Sequence, residues 1–362
     1  MKTKLYYLFI LLALAAEPAR GDNLFVVAHG YIYKFDTTIG AASQSLFASN
    51  STPPSGDLDC LAVDPNGNVL AGYDGSNNNG NYGFIDEFAP NGSGGLYYAD
   101  ALFAVGLALD SGGDLFMDGA AYPNQTAVIY KFTPGANGPV ESTFASGGGL
   151  SSGGLAFDRN GTLWLANGGW GNIIKFATNG GHSVFVTLPG GSAYPRGVAF
   201  DSNSNLWVTD GGANEVYEFT NHGGTLSSAV TTFASVPSPY GLVFDGNGDL
   251  FVAGSEDGNI YEFINAGGSL SPHPTIFANV FGGASALAIG LTQAVSPPPV
   301  LAASLTGGSL VVSWPVPSVG YVLQTNTDLG AGNWGDYGGV VDGTTVMMGP
   351  PQGNLFFRLR HP

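Results

Sequence analysis

The chain has 362 residues, a length that allows either one large all-β domain or two domains. Glycine accounts for 57 residues and hydrophobic residues for 44%, which favours short strands joined by tight turns. Disorder is excluded, because ample apolar surface can be buried. The formal net charge of −17 repels phosphate groups, so a nucleic-acid partner is not expected.

The first 21 residues have the pattern of a signal peptide. Lys2 and Lys4 form a basic start, the stretch 5–16 is apolar, and small residues follow where a signal peptidase could cut. The apolar stretch is short for a membrane-spanning helix. We therefore expect an exported protein, secreted or held in the cell envelope. Its mature chain should begin between Glu17 and Asp22 and contain no transmembrane segment.

A repeat of about 45 residues runs through the next part of the chain. Each copy starts with an apolar phrase, and the phrases are CLAVD ending at Asp64, GLALD at Asp110, GLAFD at Asp158, GVAFD at Asp201, GLVFD at Asp245 and the degraded ALAIG at Gly290. A polar turn and three further strand-like phrases follow each complete copy. Four strands per repeat of this length predict the blades of an all-β β-propeller.

The two ends of the repeat predict how the ring closes. Residues 22–294 hold material for six blades, but the mature chain starts directly at a second strand, NLFVV. The phrase ALAIG is a first strand with no blade after it. Pairing these two strands completes one blade from both ends of the domain and leaves no open edge. We expect a six-bladed β-propeller closed in this way.

The repeat resembles the NHL repeat, and the ring is similar to the group that includes the streptogramin lyases and the gluconolactonase-type proteins. The stretch 194–219 carries the resemblance best. Its GVAFD, LWVTD, Asn214 and VYEF stand where NHL blades have their first strand, a second strand ending in Asp, a loop Asn and the third strand. The resemblance covers roughly residues 23–293. It implies the propeller fold, whereas such rings host many unrelated activities.

A proline-rich linker at 295–300 precedes a second domain at 301–362. The short alternating strands of this domain predict a small β-sandwich. It resembles the terminal modules of exported proteins of Verrucomicrobia and Planctomycetes, and the matching positions are Trp314-Pro315, 321–324, Trp334 and 356–360. The resemblance implies a bacterial, exported protein.

The mouth of the central channel is the predicted ligand site. The loops that lead into the first strands and those that join second and third strands meet there. Aromatic faces and charged groups at these positions could bind an extracellular glycan, peptide or protein. The candidates are Asp59, Tyr73, Trp170, Arg196 and Tyr240. Tyr194 belongs to the same stacking platform, whereas Trp164 and Trp207 are interpreted as packing residues.

Side chains with carboxylate or amide oxygens lie in the same loops. As an alternative, these oxygens could coordinate a hard cation such as Ca²⁺. The candidate ligands are Asp59, Asp118, Asn167 and Asp210. The opposing interpretation, which the sequence favours, is that loop Asp and Asn side chains hydrogen-bond the backbone of their own turns. It also applies to the five repeated aspartates, because each opens a hairpin and lacks the distant acid of an EF-hand loop.

Two functions follow from these features: a non-catalytic binding or scaffold protein, and a metal-assisted hydrolase or lyase of the lactonase or streptogramin-lyase kind. The resemblance to the lyases implies a channel histidine that transfers protons. However, three of the five histidines fall between third and fourth strands, and only His29 is placed to reach the mouth. Cys60, the single cysteine, has no evident base beside it and is interpreted as a small buried residue. The sequence favours the binding protein.

Overall fold

The structure of the protein is a computed structural model. It describes residues 21–49, 57–74, 83–101, 104–121, 126–135, 138–290, 302–306, 309–313, 322–327, 334–338, 345–349 and 355–360. Residues 1–20 of the predicted signal peptide, the predicted linker and Trp314-Pro315 lie outside them. The chain divides into two compact units, Arg20–Leu291 and a second one that contains the described residues from Ala302 onward.

The first unit is built from four-stranded antiparallel sheets. Its first strands are β1 (Asn23–Ala28), β2 (Tyr31–Asp36) and β3 (Ser45–Ser49), with a 3₁₀ helix, Gly40–Ser43, before β3. Sheet 2 contains β4 (Asp57–Val63), β5 (Val69–Asp74), β6 (Gly83–Phe88) and β7 (Gly94–Ala101). Sheet 3 contains β8 (Gly106–Leu109), β9 (Leu115–Ala121), β10 (Thr126–Thr133) and β11 (Val140–Ser146). Sheet 4 contains β12 (Leu155–Phe157), β13 (Leu163–Asn167), the 3₁₀ helix Gly168–Trp170, β14 (Asn172–Phe176) and β15 (His182–Thr187).

Two more sheets and a final strand complete the first unit. Sheet 5 contains β16 (Pro195–Phe200), β17 (Leu206–Asp210), β18 (Glu215–Phe219), then an inserted hairpin of β19 (Asn221–His222) and β20 (Thr225–Leu226), and β21 (Thr231–Ser235). Sheet 6 contains β22 (Pro239–Phe244), β23 (Leu250–Gly254), β24 (Asn259–Phe263) and β25 (Thr275–Asn279). The last strand, β26 (Leu287–Gly290), pairs antiparallel with β1. Sheet 1 therefore has the order β26-β1-β2-β3 and joins the two ends of the unit.

Hydrophobic cores lie between neighbouring sheets. Successive residues of a strand point to opposite faces of its sheet. The second and third strands are largely apolar, so they place hydrophobic side chains on both faces of the sheet. Buried clusters join each sheet to the next, and one that includes Leu24, Phe251 and Phe277 joins sheet 6 to sheet 1. We call β26 and the first strand of each other sheet the inner strands. They contact one another in the order β26, β4, β8, β12, β16, β22 and back to β26.

A β-bulge recurs where the third strand of each sheet pairs with the fourth. The register shifts fall at Ile32/Tyr33, Ile85/Asp86, Ile129/Tyr130, Ile173/Ile174, Val216/Tyr217 and Ile260/Tyr261. A bulge increases the local twist and bends the strand that carries it. The repetition of the bulge at equivalent positions is the structural counterpart of the repeat in the sequence.

The repeated aspartates cap the hairpin turns, and this prediction is confirmed. Asp201 Oδ1 accepts hydrogen bonds from the backbone N–H groups of Asn203 and Asn205 at 2.8 and 2.9 Å. Its Oδ2 accepts from the indole N–H of Trp207 at 3.2 Å. The same two hydrogen bonds, from the backbone N–H groups two and four residues later, are accepted by Asp64, Asp110, Asp158 and Asp245. Trp164 and Trp207 are buried between sheets, as predicted for packing residues.

The second unit contains two three-stranded antiparallel sheets. Its strands are β27 (Ala302–Thr306), β28 (Ser309–Ser313), β29 (Val322–Asn326), β30 (Gly335–Asp336), β31 (Thr345–Met348) and β32 (Phe356–Arg360). The sheet orders are β27-β28-β31 and β30-β29-β32. One buried cluster, with Leu310, Leu323 and Val346, takes residues from both sheets. No α-helix occurs in the described parts of the chain, and no helix there has the length and apolar character needed to cross a membrane.

Candidate functional site

Three of the predicted site residues occupy irregularities at the start of inner strands. The register of β4 shifts at Asp59, that of β16 at Arg196, and that of β22 between Pro239 and Leu242, where Tyr240 lies. A bulge of this kind inserts an extra residue and turns its side chain out of the regular alternation. The three residues therefore hold equivalent places at the same end of sheets 2, 5 and 6.

Arg196 is the centre of an aromatic cluster. Its guanidinium carbon Cζ lies 4.2 Å from the ring centroid of Tyr194 and 4.8 Å from that of Tyr240. Each such cation–π contact contributes about 0.5–1 kcal/mol at exposed sites and more where water is excluded. Arg196 and Tyr240 are half-buried, and Tyr194 is 39% exposed. We call Tyr194, Arg196 and Tyr240 the Arg196 cluster.

Asp59 and Arg196 have opposite effects on the Tyr240 hydroxyl. Burial raises the pKa of Tyr240 to about 12, the negative charge of Asp59 adds to the rise, and Arg196 opposes it. The hydroxyl therefore stays protonated at neutral pH and can donate one hydrogen bond and accept others. Arg196 and Tyr240 thus come together from sheets 5 and 6, and the charge of Asp59 on sheet 2 acts on the same hydroxyl.

Trp170 lies on the segment next to the Arg196 cluster and is 59% exposed. It ends the 3₁₀ helix Gly168–Trp170, and a Cβ atom on Gly168 would lie only 3.0 Å from the ring atom Cε1 of Tyr194. Glycine permits this close approach because it has no side chain. The turn that carries Trp170 is thus packed against Tyr194, and adjacent segments present two exposed aromatic side chains.

Tyr73 is a correction to the predicted site. Its side chain is fully buried in the core between sheets 1 and 2 and stacks on Phe84, with ring centroids 4.1 Å apart. Burial, followed by the nearby carboxylate of Asp86, raises the pKa of its hydroxyl. Strand β5 continues to position 74, so alternation puts residue 73 on the same inward face as Val69 and Ala71. Tyr73 therefore offers no surface to a ligand.

Asp210, a predicted metal ligand, holds backbone N–H groups through one of its two carboxylate oxygens, while its Oδ2 has no hydrogen-bond partner among the described residues. Its Oδ1 accepts hydrogen bonds from the N–H of Tyr194 at 2.8 Å, Gly212 at 2.9 Å and Ala213 at 3.1 Å. The side chain is completely buried. Three donors satisfy this oxygen and fix the loop after β17 against the segment before β16. Asp210 is thus a positioning residue for Tyr194.

Asn167 anchors a loop in the same way at sheet 4. Its Oδ1 accepts from the N–H of Ser151 at 2.6 Å, and its Nδ2 donates to the carbonyl of Gly149 and to Oδ1 of Asn172, both at 2.8 Å. The side chain is fully buried and its oxygen already has a donor. The prediction of Asn167 as a metal ligand is therefore corrected, and backbone hydrogen bonding is the role observed.

Asp118 links sheet 3 to sheet 4. Its Oδ2 accepts from the N–H of Gly153 at 2.6 Å, whereas its Oδ1 has no hydrogen-bond partner among the described residues. The side chain is fully buried, and this burial raises the pKa of the carboxyl well above its usual value. Its buried environment favours the protonated form of the carboxyl, and its Oδ2 serves the backbone that leads into sheet 4.

The predicted calcium ligands are not assembled into a site. Among the described residues, no group of three or more His, Cys, Asp or Glu side chains is placed to hold a metal ion. Asp59 lies with the Arg196 cluster, while Asp118, Asn167 and Asp210 are buried acceptors for backbone N–H groups. The three candidate carboxylates therefore do not form one cation site among the described residues.

Similarity to known proteins is found at the level of structure. No protein-family model matches the sequence, and no curated protein matches it either. A protein of unknown function from Bacteroides caccae has a TM-score of 0.55 at 14% identity, over 74% of this chain and 98% of its own. A putative gluconolactonase has a TM-score of 0.52 at 16% identity, over 84% and 93%. Virginiamycin B lyase from Staphylococcus aureus reaches 0.48 at 16% identity, over 73% and 94%.

The chain folds as a β-propeller. The putative gluconolactonase belongs to the group of rings that the repeat resembles, and the series of four-stranded antiparallel sheets agrees with that group. The lyase likeness is too weak to add to this conclusion. At 14–16% identity the likeness concerns the fold, and it transfers no activity to this propeller.

Thr209 is a residue of the propeller mouth that the sequence analysis overlooks. Its Oγ1 accepts from the N–H of Gly197 at 2.9 Å and donates to the backbone carbonyl of Tyr240. It thereby ties the irregular start of β22 to that of β16. The available signal is a polar side chain where most other copies of the repeat have a small or apolar residue, namely Val27, Gly72, Ala166 and Ala253.

Cys60 follows Asp59 in the propeller and is buried, as predicted for a small core residue. Its thiol donates a hydrogen bond to the carbonyl of Ala104 at 3.3 Å. Burial, with a further contribution from the charge of Asp59, raises the pKa of the thiol well above its usual value. A thiol in this state is a weak nucleophile, because the thiolate is the reactive form.

Proposed function

We propose that this protein is exported and that its propeller binds an extracellular glycan through the Arg196 cluster. The observation that carries the proposal is the position of Arg196 between two tyrosine rings, with the exposed Trp170 in the turn that packs against Tyr194. Sugar rings pack their apolar faces on aromatic side chains and hydrogen-bond through their edges. Arg196, the neutral Tyr240 hydroxyl and Asp59 supply donors and acceptors for those edges.

The propeller in this proposal has six blades of the NHL kind and is closed by β26 and β1. Support comes from the six four-stranded sheets among the described residues. It also comes from the antiparallel pairs Asn23↔Gly290 and Val26↔Leu287 and from the cyclic contacts of the inner strands. Closure matters for function, because it keeps Asp59 of sheet 2 within reach of Tyr240 of sheet 6.

Export and the terminal module form the rest of the proposal. The signal-peptide pattern at 1–21 supports secretion or a place in the cell envelope. A β-sandwich at 301–362 is supported by the two three-stranded sheets that share one buried cluster. Its Gln324 accepts from Arg358 Nε at 2.8 Å, and Arg358 Cζ lies 4.5 Å from the Trp334 ring centroid, so residues of the terminal-module pattern contact each other.

A glycan array tests the proposed function. The protein purified after export is applied to immobilised polysaccharides beside a Tyr194→Ala/Arg196→Ala double variant, with Arg159→Gln as the matched control for loss of an arginine. We expect the wild type and the control to bind at least one glycan, and the double variant to bind none. Capture of a peptide or protein instead of any glycan, with the same dependence on Arg196, would contradict the glycan proposal.

The lactonase-like or lyase-like alternative rests on the fold shared with the putative gluconolactonase. A metal measurement on the purified protein separates it from the binding function. Retention of about one equivalent of a divalent ion per chain, or a rise in melting temperature with Ca²⁺, would favour the enzyme. We expect neither, because Asn167 Oδ1 and Asp210 Oδ1 accept backbone N–H groups, and among the described residues no group of three His, Cys, Asp or Glu side chains is placed to hold a metal ion.

A further inference from the structure

The guanidinium of Arg196 differs in its surroundings from two other arginines of the chain. Arg159 donates to the backbone carbonyl of Ser202, and Arg358 donates to the side-chain oxygen of Gln324. The contacts of Arg196 are with the rings of Tyr194 and Tyr240 and with the Tyr240 hydroxyl. A guanidinium has five N–H donors in a planar fork, and one hydroxyl can satisfy only a fraction of them.

The two rings also fix the orientation of this fork. Aromatic contacts hold the guanidinium in place before a ligand arrives, so less side-chain entropy is lost on binding. Asp210 and Thr209 hold the backbone at Tyr194 and Tyr240, which fixes the points from which the two rings extend. A pre-oriented guanidinium is suited to a planar anion that accepts two parallel hydrogen bonds, and a carboxylate has this geometry.

The charge of the rest of the protein limits how many anionic groups the ligand carries. A net charge of −17 disfavours a polyanion at long range, and Asp59 disfavours a second carboxylate beside Tyr240. A neutral sugar, by contrast, can pack on Trp170 or Tyr194, which are 59% and 39% exposed. The site thus combines one place for an anion with an adjacent platform for uncharged rings.

We infer that the ligand is a sparsely acidic glycan, in which Arg196 binds the carboxylate of a uronic-acid unit while neutral neighbouring sugars stack on Trp170 and Tyr194. This inference rests on the proposed glycan-binding function and names its ligand class. The Tyr240 hydroxyl, on which the negative charge of Asp59 acts, is left to the hydroxyl groups of the sugars. Arg196 selects the acid, and the exposed aromatic residues contribute affinity without regard to charge.

Isothermal titration calorimetry with three probes tests this inference. The probes are a xylohexaose with a single glucuronic-acid branch, unsubstituted xylohexaose and pentagalacturonic acid. We expect the branched probe to bind about ten-fold or more tighter than the unsubstituted one, since hydrogen bonds to a charged group are worth about 1.5–3 kcal/mol. Pentagalacturonic acid should bind more weakly than the branched probe, because its further carboxylates meet Asp59 and an acidic surface.

An Arg196→Lys variant keeps the charge but removes the fork, so it should lose most of the preference for the acidic probe. Arg159→Gln should bind like the wild type. Equal binding of the branched and unsubstituted probes by the wild type would overturn the inference and leave the proposed function standing. A preference that survives in Arg196→Lys would also overturn it. Failure of every glycan on the array contradicts the proposed function itself. The wild-type comparison needs no variant, so it stands even if a variant is unstable.

Discussion

The two ends of the propeller sheets differ in what their polar residues do. At the turn end, five aspartates repeat the same hydrogen bonds to backbone N–H groups two and four residues onward. At the opposite end, the residues at the starts of the inner strands differ from copy to copy. There Asp59, Arg196 and Tyr240 stand where other copies have Val105, Gly153 and Ser285.

This contrast separates structure from function within one repeat. A residue that recurs in every copy serves what all copies share, namely the hairpin and the packing between sheets. A residue that occurs in a single copy has a local role: Asp118 and Thr209 anchor neighbouring backbone, whereas Arg196 presents a charge beside aromatic rings to a ligand. The arginine at position 196 is the clearest such residue, because it is half-buried and yet contacts aromatic rings.

Removal of a repeated aspartate should give the largest loss of stability. Asp201→Ala removes the acceptor of three hydrogen bonds. Their donors are the backbone N–H groups of Asn203 and Asn205 and the indole N–H of Trp207. We expect a loss of about 2–3 kcal/mol in the free energy of unfolding, measured by urea denaturation. Glycan affinity should not change. Ser202→Ala, at the exposed neighbouring position, is the control and should unfold like the wild type.

Asp210 contributes both to the fold and to the candidate site, because it fixes the loop after β17 and also holds the backbone of Tyr194. Asp210→Ala should cost about 1–2 kcal/mol of stability and weaken glycan binding about ten-fold, since the backbone of Tyr194 loses its anchor. Asp210→Asn keeps an oxygen at Oδ1 and should retain most of both properties. An Asn variant that binds as poorly as the Ala variant would count against the anchoring role.

Trp170 is assigned to ligand binding alone, because its side chain is exposed at the candidate site. Trp170→Ala should weaken glycan binding about three- to ten-fold, in keeping with about 0.5–1.5 kcal/mol for a stacking contact, and leave the melting temperature unchanged. Calorimetry and differential scanning fluorimetry measure the two effects. Val184→Ala removes another exposed hydrophobic side chain, 55% exposed in β15, and should change neither quantity. An unchanged affinity in Trp170→Ala would remove Trp170 from the platform.

Asp118 lies outside the candidate ligand site, and its effect on stability depends on pH. Because the pKa of Asp118 is raised in the folded protein, the folded state binds this proton more tightly than the unfolded chain does. Its contribution to stability is therefore lost as the pH rises from the usual aspartate value of about 3.9 through the raised pKa. Asp118→Asn cannot lose a proton, so its melting temperature relative to the wild type should rise over that interval. Parallel curves for the two proteins would contradict the raised pKa.

The repeat in the sequence predicts the order of the sheets, and the site residues that it predicts wrongly have local causes. The repeat points to Asp59, Arg196 and Tyr240 because each precedes an inner-strand phrase. It places Tyr73 at the surface, whereas β5 extends to position 74 and turns residue 73 inward. The contact of Thr209 with the Tyr240 carbonyl joins residues 31 positions apart, and no local pattern encodes it.

The buried roles of Asp118 and Asn167 could not be separated from metal binding by residue type alone. Carboxylate and amide oxygens accept from a backbone N–H as readily as they coordinate a cation. The choice depends on which donors the fold brings to them. At Asp118 the donor is Gly153, which lies two positions before β12 of the next sheet and 35 positions further along the chain.

One paired measurement tests most directly whether the repeated Asp201 serves the fold and the unrepeated Arg196 serves the ligand. Arg196→Gln and Asp201→Ala are each titrated with the glucuronic-acid-branched xylohexaose and unfolded in urea beside the wild type. Arg196→Gln should lose binding by at least about ten-fold and about 1–2 kcal/mol of stability from its two ring contacts, whereas Asp201→Ala should lose about 2–3 kcal/mol of stability at unchanged affinity. Wild-type affinity in Arg196→Gln would contradict the account.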